Sequence, residues 1–151
     1  MHTINRTDST DPAFATLVEQ LDADLAARDG EEHSFYAQFN KIDIIRHVIV
    51  VEDDGMPTSC GAMKAFDEET MEIKRMYTVP GSRGLGLASQ VLSALESWAA
   101  ELGYKKCVLE TGRRQPEAIA LYEKQGYKLM ENYGQYAGVE NSVCFGKSLK
   151  A

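Results

Sequence analysis

The sequence predicts an α/β (α+β) fold, a mixed and mostly antiparallel sheet flanked by helices, on three observations. Short β-branched runs alternate with helical patterns along the whole chain. Asp53, Asp54 and Gly55 close one of those runs ahead of the next, which reads as an antiparallel hairpin, and the strongest helical pattern follows a strand through a glycine-rich turn. No repeat or linker divides the 151 residues, so one domain over 1–151 is expected, enough to bury about two-thirds of the surface of the unfolded chain.

His2 to Asn5 reads as a first strand. Asp11 followed by Pro12 starts a helix, the acid as cap and the proline at the first helical position, and Phe14, Leu17, Val18, Leu21 and Leu25 give it one apolar face. Glu31 to Asn40 carries Phe35, Tyr36 and Phe39 in a second, shorter helical pattern that suits a core face or a pocket wall. His47–Val51 and Ser59–Phe66 form the hairpin strands, and Asp67 to Thr70 turns the chain again. From Met71 to Val79, strict alternation puts Met71, Ile73, Arg75 and Tyr77 on one face and Glu72, Lys74, Met76 and Thr78 on the other. Leu87, Val91, Leu95, Trp98 and Leu102 make an amphipathic helix that Gly103 ends. Cys107–Leu109 is a strand, Pro116–Gln125 a helix closed by Gly126, and Tyr127–Met130 and Ser142–Leu149 are further strands.

Apolar residues make up 44% and charged residues 26%, which is a globular composition. No apolar run is long enough to cross a bilayer, and the amino terminus lacks the basic and apolar regions of a secretory signal, so a cytoplasmic location is expected. Cys60, Cys107 and Cys144 are few and far apart, which predicts buried free thiols and no metal site. The net charge of −7 disfavours nucleic acid and favours a cationic small molecule as partner.

The richest local signal is Arg83-Gly84-Leu85-Gly86-Leu87-Ala88, between a strand and a helix. Glycines let a ligand approach the main chain, the helix start offers unpaired N–H groups and a positive dipole end, and Arg83 adds a fixed charge. The segment reads as a phosphate cradle, although such glycines can also serve tight packing alone. It is not a P-loop, because Leu87-Ala88 stands where Lys and Ser/Thr are needed, and its mid-chain position does not suit a dinucleotide fold.

With these residues in place, the chain resembles the GCN5-related N-acetyltransferase (GNAT) family, whose Gln/Arg-x-x-Gly-x-Gly/Ala signature is met by Arg83, Gly86 and Ala88. Glu72–Tyr77 is similar to the family's fourth strand, Ala118–Tyr127 to its Leu-Tyr-Glu-Lys helix, and Tyr133–Leu149 to the ending of many bacterial members. Thr78 departs from a commoner aliphatic residue, and Gln115 from an asparagine that often contacts the cofactor.

The resemblance implies splayed central strands and acetyl-CoA as cosubstrate, with no metal. It also implies backbone contacts from Met76, Tyr77 and Thr78 to the pantetheine and thioester. Glu72 matches a general-base position and Tyr122 the general acid; the bland alternatives are a surface carboxylate pairing with Lys74 and a core tyrosine. Arg113 and Arg114 could bind an acidic group or simply be solvated. The acceptor is expected to be a small-molecule amine near Phe35, Tyr36, Tyr133 and Tyr136, with no membrane partner and with a homodimer left open. The rival reading is a catalytically silent acyl-CoA-binding sensor or interaction module.

Overall fold

The computed structural model describes residues 2–29 and 44–149. The helical pattern expected over Glu31 to Asn40, including Phe35 and Tyr36, lies outside the described residues. The elements are β1 (His2–Thr7), α1 (Pro12–Asp29), β2 (His47–Asp53), β3 (Met56–Ala65), β4 (Thr70–Thr78), α2 (Leu87–Glu101), β5 (Lys106–Gly112), α3 (Pro116–Lys124), β6 (Lys128–Met130) and β7 (Ser142–Ser148).

Among the described residues, seven strands form one sheet in the order β1-β2-β3-β4-β5-β7-β6. Only β4 and β5 pair in parallel. The mixed, mostly antiparallel sheet follows from the connections. Asp54 and Gly55, both at positive φ, close the β2–β3 hairpin in two residues, whereas β4 reaches β5 only by way of α2.

Alternation sorts the core onto two faces. Val48 and Val50 of β2, with Cys60 and Ala62 of β3, meet Phe14, Leu17, Val18 and Leu21 of α1. Ile49 and Val51, with Met63 and Met71, meet Val91, Leu92 and Leu95 of α2. Each fully buried aliphatic side chain contributes about 1.5–3 kcal/mol. Asp11 caps α1 as its sequence suggests, its Oδ1 accepting from Ala13 N–H at 2.9 Å. The three cysteines are buried free thiols.

Two expectations are corrected. Leu102 is not on the buried face of α2: the helix ends at Glu101, Gly103 takes φ +94°, and Leu102 is exposed while Leu92 and Ala99 are buried. The unbroken alternation of β4 fails as well. Cys60 pairs with Tyr77 and Ala62 with Lys74, so Arg75 and Met76 together face Gly61 in a β-bulge, with Arg75 at φ +60°. The bulge reverses the faces that follow it. Arg75 reaches Asp22 of α1 and Tyr77 joins the α1 core, while Met76 packs with the α2 core beside Met71 and Ile73. Glu72 therefore does not share a face with Met76 and Thr78.

Gly61 makes the bulge fit, since a Cβ there would stand 2.5 Å from Met76 Sδ and 2.7 Å from Val91 Cγ1. The bulge also coincides with the end of parallel pairing. β4 and β5 are joined from Thr70↔Lys106 to Ile73↔Leu109; beyond that, β4 runs on to Thr78 paired only to β3, and β5 to Gly112 paired only to β7. The central strands splay there.

Candidate active site

The β4–α2 connection builds one side of the splay. After a 3-10 turn at Pro80–Ser82, Gly84 and Gly86 take φ +84° and +78°, and Gly86 caps α2 from the left-handed region. No side chain caps this helix, and its first backbone bond runs from Gln90 N–H to Gly86 O. The preceding N–H groups are thus directed at whatever occupies the helix start. Arg83 is anchored there: its Nε donates to Thr78 O at 2.9 Å, and its guanidinium carbon stands 5.7 Å from the Tyr77 ring centre.

These residues border a groove of about 320 Å³. Met76, Tyr77, Thr78, Arg83, Gly84, Gly86, Leu87, Ala88 and Gln115 all line it, with Asp24 and Glu117 also at its margin. Leu85 does not: its side chain is 68% exposed, so only its backbone can serve the cradle.

A second cavity, of about 90 Å³, meets the groove at Met76 and Gln115, which line both. Glu72, Arg75, Glu110, Tyr122 and Tyr136 are in its wall. Glu72 is buried; its Oε2 accepts from Tyr133 Oη at 2.7 Å and its Oε1 lies 3.9 Å from Lys74 Nζ. Phe66, Tyr133 and Tyr136 follow one another in edge-to-face contacts with ring centres 5.0 and 5.8 Å apart. Burial together with the Glu72 carboxylate holds the Tyr133 phenol far above its usual range, so Tyr133 is a donor here.

Glu110 lines the cavity although a strand expected over Cys107–Leu109 stops short of it; β5 continues to Gly112. The parity of Glu110 was readable: Cys107 and Leu109 enter the core, so Val108 and Glu110 point to the face that carries Glu72. Glu110 also lies past Leu109, the last residue paired to β4, and so at the splay itself.

Tyr122 is buried, with its ring against Tyr127 and Phe145. Burial, reinforced by the charge of Glu110, pushes its phenol above the ordinary value. Even an unperturbed phenol near 10 gives its proton to a thiolate near 8.5 at a cost of about 2 kcal/mol, so such a transfer must be coupled to bond breaking. Arg113 donates from Nε to Glu140 O at 2.6 Å, and neither Arg113 nor Arg114 lines either cavity. Among the described residues no group of three or more His, Cys, Asp or Glu side chains could hold a metal ion, and no helix is long and apolar enough to cross a membrane.

Comparison with known proteins gives a consistent result. A family model described as "Acetyltransferase (GNAT) family" matches residues 14–127. The chain is 33% identical to a protein of Azospirillum brasilense named IAA acetyltransferase, over 97% of each chain. It superposes with a TM-score of 0.83 and 30% identity on a Klebsiella pneumoniae protein assigned to the acyl-CoA N-acyltransferases, covering 99% of both chains. At 17% identity, a GNAT acetyltransferase of Elizabethkingia anophelis solved with acetyl-CoA bound shares the fold, with a TM-score of 0.70 and 98% coverage of both.

Proposed function

Because the chain belongs to the acetyltransferase (GNAT) family, we propose that it transfers an acetyl group from acetyl-CoA to the amine of a small, ammonium-bearing molecule. The observation that carries this reading is the meeting of two unlike cavities at Met76 and Gln115. One has a glycine-rich helix start and an anchored arginine suited to phosphates; the other has two carboxylates and an aromatic wall suited to an ammonium group.

Acetyl-CoA supplies the acyl group activated as a thioester. The chain contributes the rest. Backbone groups of Met76, Tyr77 and Thr78, on the side of β4 that no longer pairs with β5 beyond Ile73, hold the pantetheine arm and the thioester oxygen. The carboxylates attract the ammonium group and take up one of its protons, directly or through water, which frees the nitrogen lone pair to form the C–N bond. As the C–S bond breaks, Tyr122 donates its hydroxyl hydrogen to the sulfur. Of the two protons the amine loses, one passes to solvent and the other restores the Tyr122 hydroxyl, so the net products are the amide, the free thiol and one proton.

Glu72 is the base suggested by family position. A second assignment, Glu110, is favoured by one observation: it lies one residue past the last β4–β5 pair, Ile73↔Leu109, at the splay itself. Thiol release with an amine panel, followed against pH for Glu72→Gln and Glu110→Gln, separates them. Loss of the base is expected to cost about 10²-fold or more at neutral pH and less at alkaline pH, where free amine is abundant. A constant loss across the range removes that carboxylate as base. Neutral or anionic acceptors outperforming every ammonium compound would falsify the acceptor class.

A further inference from the structure

We propose that the acceptor carries a carboxylate as well as an ammonium group, and that Arg75 binds that carboxylate; the proposal rests on the acetyltransferase reading above. Arg75 is 7% exposed. Its Nη1 donates to Asp22 Oδ1 at 2.8 Å, but its Nη2, also buried, has no hydrogen-bond partner. Among the described residues, one other buried side-chain nitrogen or oxygen is in that state, Asn141 Nδ2.

Arg75 lines the smaller cavity, whereas Asn141 stands behind its Gly112 lining. Arg75 shares the cavity wall with the Glu72 and Glu110 carboxylates. Asn141 Nδ2 lies 3.7 Å from the point a Cβ would occupy on Gly112, beside Gln115 Nε2 at 3.4 Å, and Gly112 and Gln115 line the cavity too. Buried donors are nearly always satisfied, so the unpartnered Arg75 Nη2 at this cavity calls for an acceptor that enters it. A guanidinium with one arm committed to Asp22 and the other unpaired is matched in charge and geometry by a carboxylate oxygen.

The backbone fixes the position of this group. Arg75 occupies the left-handed region at the bulge, and its carbonyl accepts from Cys60 Sγ at 3.3 Å. A bulky residue held at positive φ is a cost that functional sites retain.

Charge and size narrow the ligand further. The wall sets Lys74 and Arg75 against Glu72 and Glu110. A zwitterion adds no net charge to that set, whereas a polyamine would bring a second ammonium group against Arg75. A cavity of about 90 Å³ has room for about three water molecules at about 30 Å³ each, which suits the small head of an amino acid and not a polypeptide segment.

The test compares, on the wild-type protein with acetyl-CoA, a panel of amino acids with their carboxamides and their decarboxylated amines, by thiol release. The amino acid is expected to exceed both counterparts by about 10- to 100-fold in kcat/KM, mostly through KM. Arg75→Gln is expected to bring that ratio close to one, and Arg75→Lys to restore part of it. Equal use of acids and carboxamides, preference for polyamines, or an equal loss for all three compounds in Arg75→Gln overturns the proposal and leaves the acetyltransferase reading standing. If no amine is acetylated, that reading fails instead. Calorimetry of the same amino acids against the coenzyme A-saturated protein then decides the inference: heat of binding that disappears in Arg75→Gln supports it, and no heat overturns it.

Discussion

At Tyr122, burial works against acidity but in favour of placement. The ring stands against Tyr127 and Phe145, and the residue lines the smaller cavity. Tyr122→Phe keeps these ring contacts and removes only the donor. We expect acetyl-CoA affinity to be retained and the single-turnover rate to fall by about 10²-fold, measured by rapid quench so that product release does not mask chemistry. A wild-type rate would assign sulfur protonation to another group. The sequence singles out Tyr122 as a candidate because flanking residues carry a family motif, and the structure puts it in the wall of the smaller cavity. Glu110 was not singled out, because a carboxylate after three apolar residues reads equally well as the end of a strand, and only pairing with β7 as far as Gly112 shows that the strand continues. Arg75 was misplaced for a related reason: alternation gives its face correctly only if nothing interrupts the ladder.

The interruption belongs to the scale of elements. Strand and helix positions followed from periodicity, and α2 and the β2–β3 hairpin stand where their patterns put them, within a residue or a few at the ends. The bulge has no such signature. It depends on Gly61 of one strand lying opposite Arg75-Met76 of another, a long-range match that neither segment contains by itself. Gly61→Ala tests it. A methyl group at 2.5 Å from Met76 Sδ and 2.7 Å from Val91 Cγ1 must displace the strand or α2, so a loss of about 1–3 kcal/mol in denaturant unfolding is expected. Because Met76 borders both cavities, acetyl-CoA affinity should fall as well. The cradle is tested at the same scale by Arg83→Glu and Gly86→Asp. The first reverses the charge at the groove. The second places a carboxylate at the helix start and a side chain at φ +78°, where open space surrounds the Cβ and the backbone itself is the obstacle. Both folded variants should bind acetyl-CoA more weakly by titration, and an unchanged affinity in either removes its residue from the cradle.

At the scale of the molecule, α1 covers β2 to β4 on one face and α2 covers the other, while the mouth of the splay is flanked by α1, the α2 start and the loop before α3. A ligand seated there touches elements from both halves of the sheet, so its binding free energy should appear as global stability. For a compound that binds only the folded chain, one hundred times Kd adds about 2.7 kcal/mol. In a domain of this length each kcal/mol raises Tm by about 2–4 °C, so a rise of roughly 5–10 °C is expected with saturating acetyl-CoA. The rise should shrink in Arg83→Glu and with added salt, since part of the attraction is between exposed charges. The same titration separates the rival readings of the chain. A catalytically silent acyl-CoA sensor would show the full shift yet release no thiol with any amine. A purely structural interaction domain would show no shift at all, and its glycine turn would be explained by packing. A shift accompanied by thiol release, sensitive to Arg83 and to salt, is the outcome that only an acetyltransferase with this cradle produces.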